Sequence, residues 1–162
     1  MRGRKEIALR REEKSFLIKF ALLFSIPYVL IHFLPLGFLT EFVAFAESKL
    51  VSFTGASAAA QGSTLLVDGK IFEIIPDCSG LVMIILFAAL LYSTKLSAGK
   101  RARGMLLFIP LLFVFNLLRL FLTLMVGVAW GVDAFNAAHV VLWFVDSAVV
   151  LLAWAAASEI KI

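Results

Sequence analysis

Between Met105 and Ala129 the chain holds one charge, Arg119, and one side-chain amide, Asn116, in an otherwise overwhelmingly apolar run. A run of that length is enough for a helix to cross the hydrocarbon of a bilayer. In lipid, backbone polar groups must be satisfied internally, so an open strand or an irregular loop is excluded there. This stretch commits the chain to a membrane. Three other apolar runs follow the same logic, giving expected spans at about 16–35, 79–93, 105–129 and 137–157. The first is broken only by Lys19, Ser25, Pro27 and His32, and the second is short for a full crossing. The fourth carries His139 at its start and Asp146 inside.

Composition supports lipid as the solvent. The chain is 62% hydrophobic and 16% charged, against about half and about a quarter in soluble domains. A net charge of +4 would suggest nucleic acid if the basic residues formed a patch, but they cluster at the ends of apolar runs. That is how membrane topology is written, so nucleic acid is not an expected partner. The N-terminus and the loop at 94–104 hold ten basic residues, whereas segments 35–77 and 130–136 hold two, against six acids. Both termini are therefore expected in the cytoplasm of a multi-pass plasma-membrane protein, with the Cys78 end outside. Ala44-Phe45-Ala46 resembles a signal-peptidase site, but the preceding apolar run is longer than the usual ~7–15-residue core of a signal peptide. The first span reads as a retained anchor.

The expected fold is an all-α polytopic membrane protein, a single domain over residues 1–162, whose four transmembrane helices carry an outer segment at 36–78. Within that segment Leu39, Phe42, Val43, Ala46, Leu50 and Phe53 recur at helical spacing, with Thr40, Glu41, Glu47 and Ser48 on the other side. This predicts an amphipathic helix lying in the outer interface or packed over the bundle. The small residues from Gly55 to Gly62 read as a linker. Asp68-Gly69 between two apolar runs predicts a short β-hairpin over 63–75, because both turn positions favour positive φ. Pro76 ends the second strand and hands the chain to Cys78, the single cysteine.

Depth can be counted at ~1.5 Å per helical residue. Cys78 and His139 stand at the outer ends of the second and fourth helices, and Arg119 lies ~15 Å below the outer end of the third. A thiolate at a helix N-terminus is an activated nucleophile. Ser79-Gly80 lets the first turn approach closely, while the charge of Asp77 opposes activation and calls for a cationic neighbour. His139 suits general acid–base work and Arg119 suits holding an oxyanion or a substrate carbonyl. Asn116, three residues before Arg119, and Asp146, at a similar depth, are expected to orient the arginine. No metal or cofactor is expected, since no cysteine–histidine cluster has ligand spacing. The opposing reading is structural: a buried cysteine is usually a small hydrophobe, and Arg119–Asp146 would simply join two helices.

Cys78-Ser79-Gly80-Leu81 opening a helix, Asn116-Leu117-Leu118-Arg119 in the next and His139 opening a later one resemble the exosortase/archaeosortase family, as does the strand pair before the cysteine. The resemblance covers about Ser63 to Val150. It implies a membrane-embedded cysteine transpeptidase or protease, a compact member in a family whose members often have more helices. Such an enzyme acts on exported proteins carrying a C-terminal motif, a hydrophobic helix and a basic tail. It cleaves through a thioester and passes the protein to a membrane-derived lipid acceptor, which anchors it at the cell surface. Cys78 would be the nucleophile, Arg119 the stabiliser and His139 the third member. The alternatives are a non-enzymatic membrane assembly protein and a small transport subunit, each with a structural Arg119–Asp146 pair.

Overall fold

The structure, a computed structural model, describes residues 2–159, with side chains from residue 11 onward. The side chains of Arg2, Arg4, Lys5 and Arg10, which entered the topology argument, lie outside the described residues. The element order is α1 (Arg2–Ile31), α2 (Gly37–Ser52), β1 (Ala58–Gln61), β2 (Thr64–Val67), β3 (Lys70–Glu73), a 3-10 turn at Pro76–Cys78, then α3 (Leu81–Ser93), α4 (Ala98–Trp130) and α5 (Val132–Glu159).

Three helices among the described residues, in α1, α4 and α5, are long and apolar enough to cross a membrane, where four were expected. The difference is α3. Its 13 residues make about 20 Å of helix, short of a ~30 Å hydrocarbon core. Two side-chain pairs tie its flanks to α1: His32 Nε2 to Asp77 Oδ2 at 3.3 Å and Lys95 Nζ to Glu12 Oε1 at 2.7 Å. The two elements thus run antiparallel over the same length. Packing joins α4 to α5, α3 to α1 and α5, and α2 to the sheet and α4.

Apolar attraction between helices is weak in lipid, so close backbone approach matters more. A Cβ on Gly104 would lie 3.2 Å from both the Ala157 Cβ and a Leu91 methyl, and one on Gly127 would lie 2.9 Å from the Phe135 ring. These two glycines let α4 lie against its neighbours near both of its ends. The outward faces are apolar, with Leu106 80%, Phe144 65% and Leu152 70% exposed. On α1 the aromatic side chains Phe16, Phe20, Phe24 and Tyr28 recur every fourth residue and stack pairwise, ending on the edge of His32.

Several expectations change on this framework. The basic loop is mostly helix, because Ser97 caps α4 by accepting from Lys100 N–H, so α4 begins at Ala98 rather than near 105. The turn before α5 shrinks to Gly131, at φ 89°. His139 consequently sits two turns inside α5 rather than at its start. The segment read as a linker contains β1, paired antiparallel with β2. Alanine has little strand preference of its own, and here the neighbouring strand supplies the order. The β2–β3 hairpin forms around Asp68 and Gly69, at φ 46° and 80°. Lys70 Nζ fastens it by donating to the Gly127 and Val128 carbonyls at 3.1 and 2.7 Å, where the last carbonyls of a helix attract a cation.

The helix at 39–53 is present and packs against the sheet and α4. Its buried face is Thr40, Val43, Ala44, Glu47, Ser48 and Val51, while Phe38, Phe42, Phe45 and Phe53 are exposed. Small and polar residues pack against the bundle and the rings are left on the outer surface, the arrangement that lipid as solvent favours.

Candidate active site

Cys78 ends the 3-10 turn, its N–H bonded to the Ile75 carbonyl at 2.9 Å. Pro76 fixes the entry to this turn. Ser79 closes it by donating to the Pro76 carbonyl at 2.6 Å, and its oxygen accepts weakly from Leu81 N–H at 3.4 Å. Gly80 caps α3 in the left-handed region at φ 83°. Cys78 therefore stands two residues before the α3 cap rather than on its first turn, which weakens the expected help from the helix N-terminus.

Gly80 is required for a second reason. A Cβ there would meet Asn116 Cγ and Nδ2 at 3.1 Å. Asn116, 1% exposed, uses this proximity to donate from Nδ2 to the Cys78 carbonyl at 3.0 Å. The turn holding the cysteine is thus fixed by the amide of α4. One turn on, Arg119 is 3% exposed and its Nη1 meets Asp146 Oδ2 of α5 at 3.0 Å. Arg119 Nε and Nη2, Asp146 Oδ1 and His139 Nδ1 are buried without partners. That leaves buried donors and acceptors without protein partners around the centre.

The thiol of Cys78 is 8% exposed, packed with Val43, Ala44, Ile74 and Leu120. Burial pushes its pKa above the ordinary thiol value, and the nearby Arg119 guanidinium opposes that rise without cancelling it. The expected activation by a cation is present in direction, but desolvation outweighs it. At rest the cysteine is a thiol.

Two adjoining cavities approach this centre. One of about 240 Å³ is lined by Arg119, Asn116, Asp146 and Asp77 among apolar neighbours. Another of about 400 Å³ is lined by His139, Asp77 and Tyr28. They share Asp77, Val82 and Trp143, and Cys78 lines neither. A larger cavity of about 890 Å³ at the opposite end of the bundle touches none of these residues. The structure therefore brings Cys78, Asn116, Arg119 and Asp146 together. His139 stands on the cavity wall, stacked on Phe135, and among the described residues it has no hydrogen bond to Cys78 or Arg119. No group of three or more histidine, cysteine, aspartate or glutamate side chains with metal-binding geometry occurs among the described residues.

Sequence reasoning gave little weight to Asp77, Glu47 and His32. Asp77 borders both cavities and receives His32, forty-five residues away, a pairing that spacing cannot announce. Glu47, on the polar side of its helix, is fully buried. The signal for it was available, since a polar face on a membrane-bound helix is the one that seeks protein.

A family described as transmembrane exosortase matches the chain over residues 13–156. No curated protein and no solved structure matches it.

Proposed function

The chain belongs to the transmembrane exosortase family, and from that premise we propose that it is a membrane cysteine transpeptidase that processes a C-terminal sorting signal on exported proteins. The observation that carries this reading is the Asn116 clamp: one face of α4 holds the Cys78 turn at 3.0 Å and, one turn later, presents Arg119. A nucleophile and a cation held on one rigid element are what an acyl transfer needs.

In the proposed reaction Cys78 loses its proton to His139 as the substrate carbonyl enters from the cavity side. Sγ bonds to the carbonyl carbon, and the oxyanion is held by the free N–H groups of Arg119. Collapse expels the amine, which takes the proton from His139 and leaves a thioester. A nucleophile from a membrane-derived acceptor, or water, then releases the product. Asp146 keeps the guanidinium oriented throughout. The same reading makes α3, with its non-helical flanks, a fourth crossing. Both termini are then cytoplasmic and Cys78 is at the outer face.

The test is co-expression with an exported protein ending in a short motif, a hydrophobic helix and a basic tail. Mass spectrometry should show loss of the tail with the native chain and none with Cys78→Ser, Arg119→Ala or His139→Ala. Processing that survives Cys78→Ser would end the proposal. The buried Arg119–Asp146 pair favours a second reading, a structural or transport subunit. In that case Cys78→Ser changes nothing, and Asp146→Ala alone disables the protein.

A further inference from the structure

Glu47 is the most deeply buried acid among the described residues, at 0% exposure, and neither carboxyl oxygen has a hydrogen-bond partner. Its place is defined by its neighbours on the inner face of α2. Val43 and Ala44, one turn before, pack with Cys78 and Leu120. Val51, one turn after, packs with Leu124 and the sheet. Glu47 therefore faces α4 at the level between Leu120 and Leu124, beside the turn that begins at Arg119.

Arg119 is the charge that acts on it. The guanidinium meets Asp146 through Nη1 and leaves Nε and Nη2 unpaired. One cation thus pairs with a carboxyl group from α5 and acts at longer range on another from α2, all three buried. A second ionised carboxylate there would be uncompensated, so the trio favours keeping one proton.

Resting on the reading of Cys78 and Arg119 as one site, we propose that Glu47 is a positioning residue for Arg119. As a neutral acid it leaves the free edge of the guanidinium to the Cys78 side, and as a carboxylate it draws that edge away. Burial raises the Glu47 pKa to about 8, against the weaker opposing pull of Arg119. The acid form therefore holds at neutral pH and is lost as pH rises through that value. The titratable groups on the elements packed against α2 are Arg119 and, at the far N-terminal end of α4, Lys100, Arg101 and Arg103, with Asp77 and Cys78 of the 3-10 turn; β1 and β2 carry none. On α2 itself Glu41 and Lys49 point outward.

The experiment is the iodoacetamide alkylation rate of Cys78 against pH, with purified full-length protein in detergent. Glu47 and Cys78 ionise in neighbouring ranges, so the native profile should be broader than a one-proton curve. Glu47→Gln should give a one-proton curve with its midpoint about one pH unit lower, so about tenfold faster alkylation below the midpoint. Glu47→Asp should restore the broad profile. Infrared spectra should show a protonated-acid carbonyl band that vanishes near pH 8 in the native chain and is missing in Glu47→Gln.

If Arg119→Ala shifts the profile while Glu47→Gln leaves it native, the inference is wrong and the site stands. If neither substitution shifts it, the site reading itself fails. A lower melting temperature for Glu47→Gln with an unchanged profile marks a merely structural acid and overturns the inference.

Discussion

At Cys78 two opposing effects have been weighed by the fold. Removal from water disfavours the thiolate, Arg119 favours it, and the first is larger. The sign fixes a prediction. Alkylation of Cys78 should rise only as pH passes above the ordinary thiol value of ~8.5, and Arg119→Ala should move the midpoint still higher by removing the opposing cation. A midpoint near 7 would mean that the thiol is far less enclosed than its packing with Ile74 and Leu120 implies. Such a thiol is inert until a base arrives, which is what the proposed transpeptidase reaction requires of it before substrate binds. Asp146 carries a second prediction at this scale. Removing one partner of a buried pair leaves the other charge uncompensated, so Asp146→Ala should destabilise the protein by about 3–5 kcal/mol. The double change Arg119→Met with Asp146→Leu should recover much of that loss in thermal unfolding in detergent. Equal losses in the single and double variants would show that Asp146 acts through packing alone.

Among the elements, the join between the 3-10 turn and α3 concentrates the most constraint. Gly80 is both left-handed and pressed against Asn116. A side chain there costs ~1–2 kcal/mol for the backbone conformation alone, and its Cβ pushes Asn116 off the Cys78 carbonyl. Gly80→Ala should therefore lower the melting temperature and also change Cys78 alkylation. Asn116→Ala, which removes the clamp but keeps the glycine, should reproduce the alkylation change without the backbone cost. A Gly80→Ala protein with native alkylation would show that the clamp does not govern the thiol.

This join also marks how far the sequence could be read. The Asn116–Arg119 spacing put both side chains on one face of α4, because a helix puts i and i+3 on one face, while the motif Cys78-Ser79-Gly80-Leu81 marked the start of α3 with the cysteine just before it. The Asp68-Gly69 turn was legible because its chemistry is local. Two kinds of feature were not. The register of β1 depends on a partner strand and not on Ala58–Gln61 themselves. The buried face of α2 depends on the solvent, and helical spacing alone left open whether its polar side, with Glu47, meets water or the bundle.

Taken whole, the molecule poses a question of parity. Positive-inside counting argues for both termini in the cytoplasm, which requires an even number of crossings, yet among the described residues three helices have the length and hydropathy to cross. The 13-residue α3 is where the proposed fourth crossing lies. Its flanks are tied to α1 at Glu12 and at His32, so the chain from Asp77 to Lys95 covers what α1 covers from 12 to 32. Both ends of α3 are fastened to the bundle, the 3-10 turn by Asn116 and the other end by Trp154 Nε1 donating to Thr94 Oγ1 at 2.9 Å, which is what the proposed short crossing requires. Single cysteines in a Cys78→Ala background test this directly. Ile71→Cys, on the exposed hairpin, should react with a membrane-impermeant maleimide in intact cells, whereas Gly99→Cys and Glu159→Cys should react only after permeabilisation. If Ile71→Cys and Gly99→Cys label from the same side, α3 does not cross. The termini then lie on opposite faces, and His139 and Cys78 need another route to the exported side. If they label from opposite sides, the short helix is what places the cysteine turn at the outer face, level with the cavity that Asp77 and His139 share.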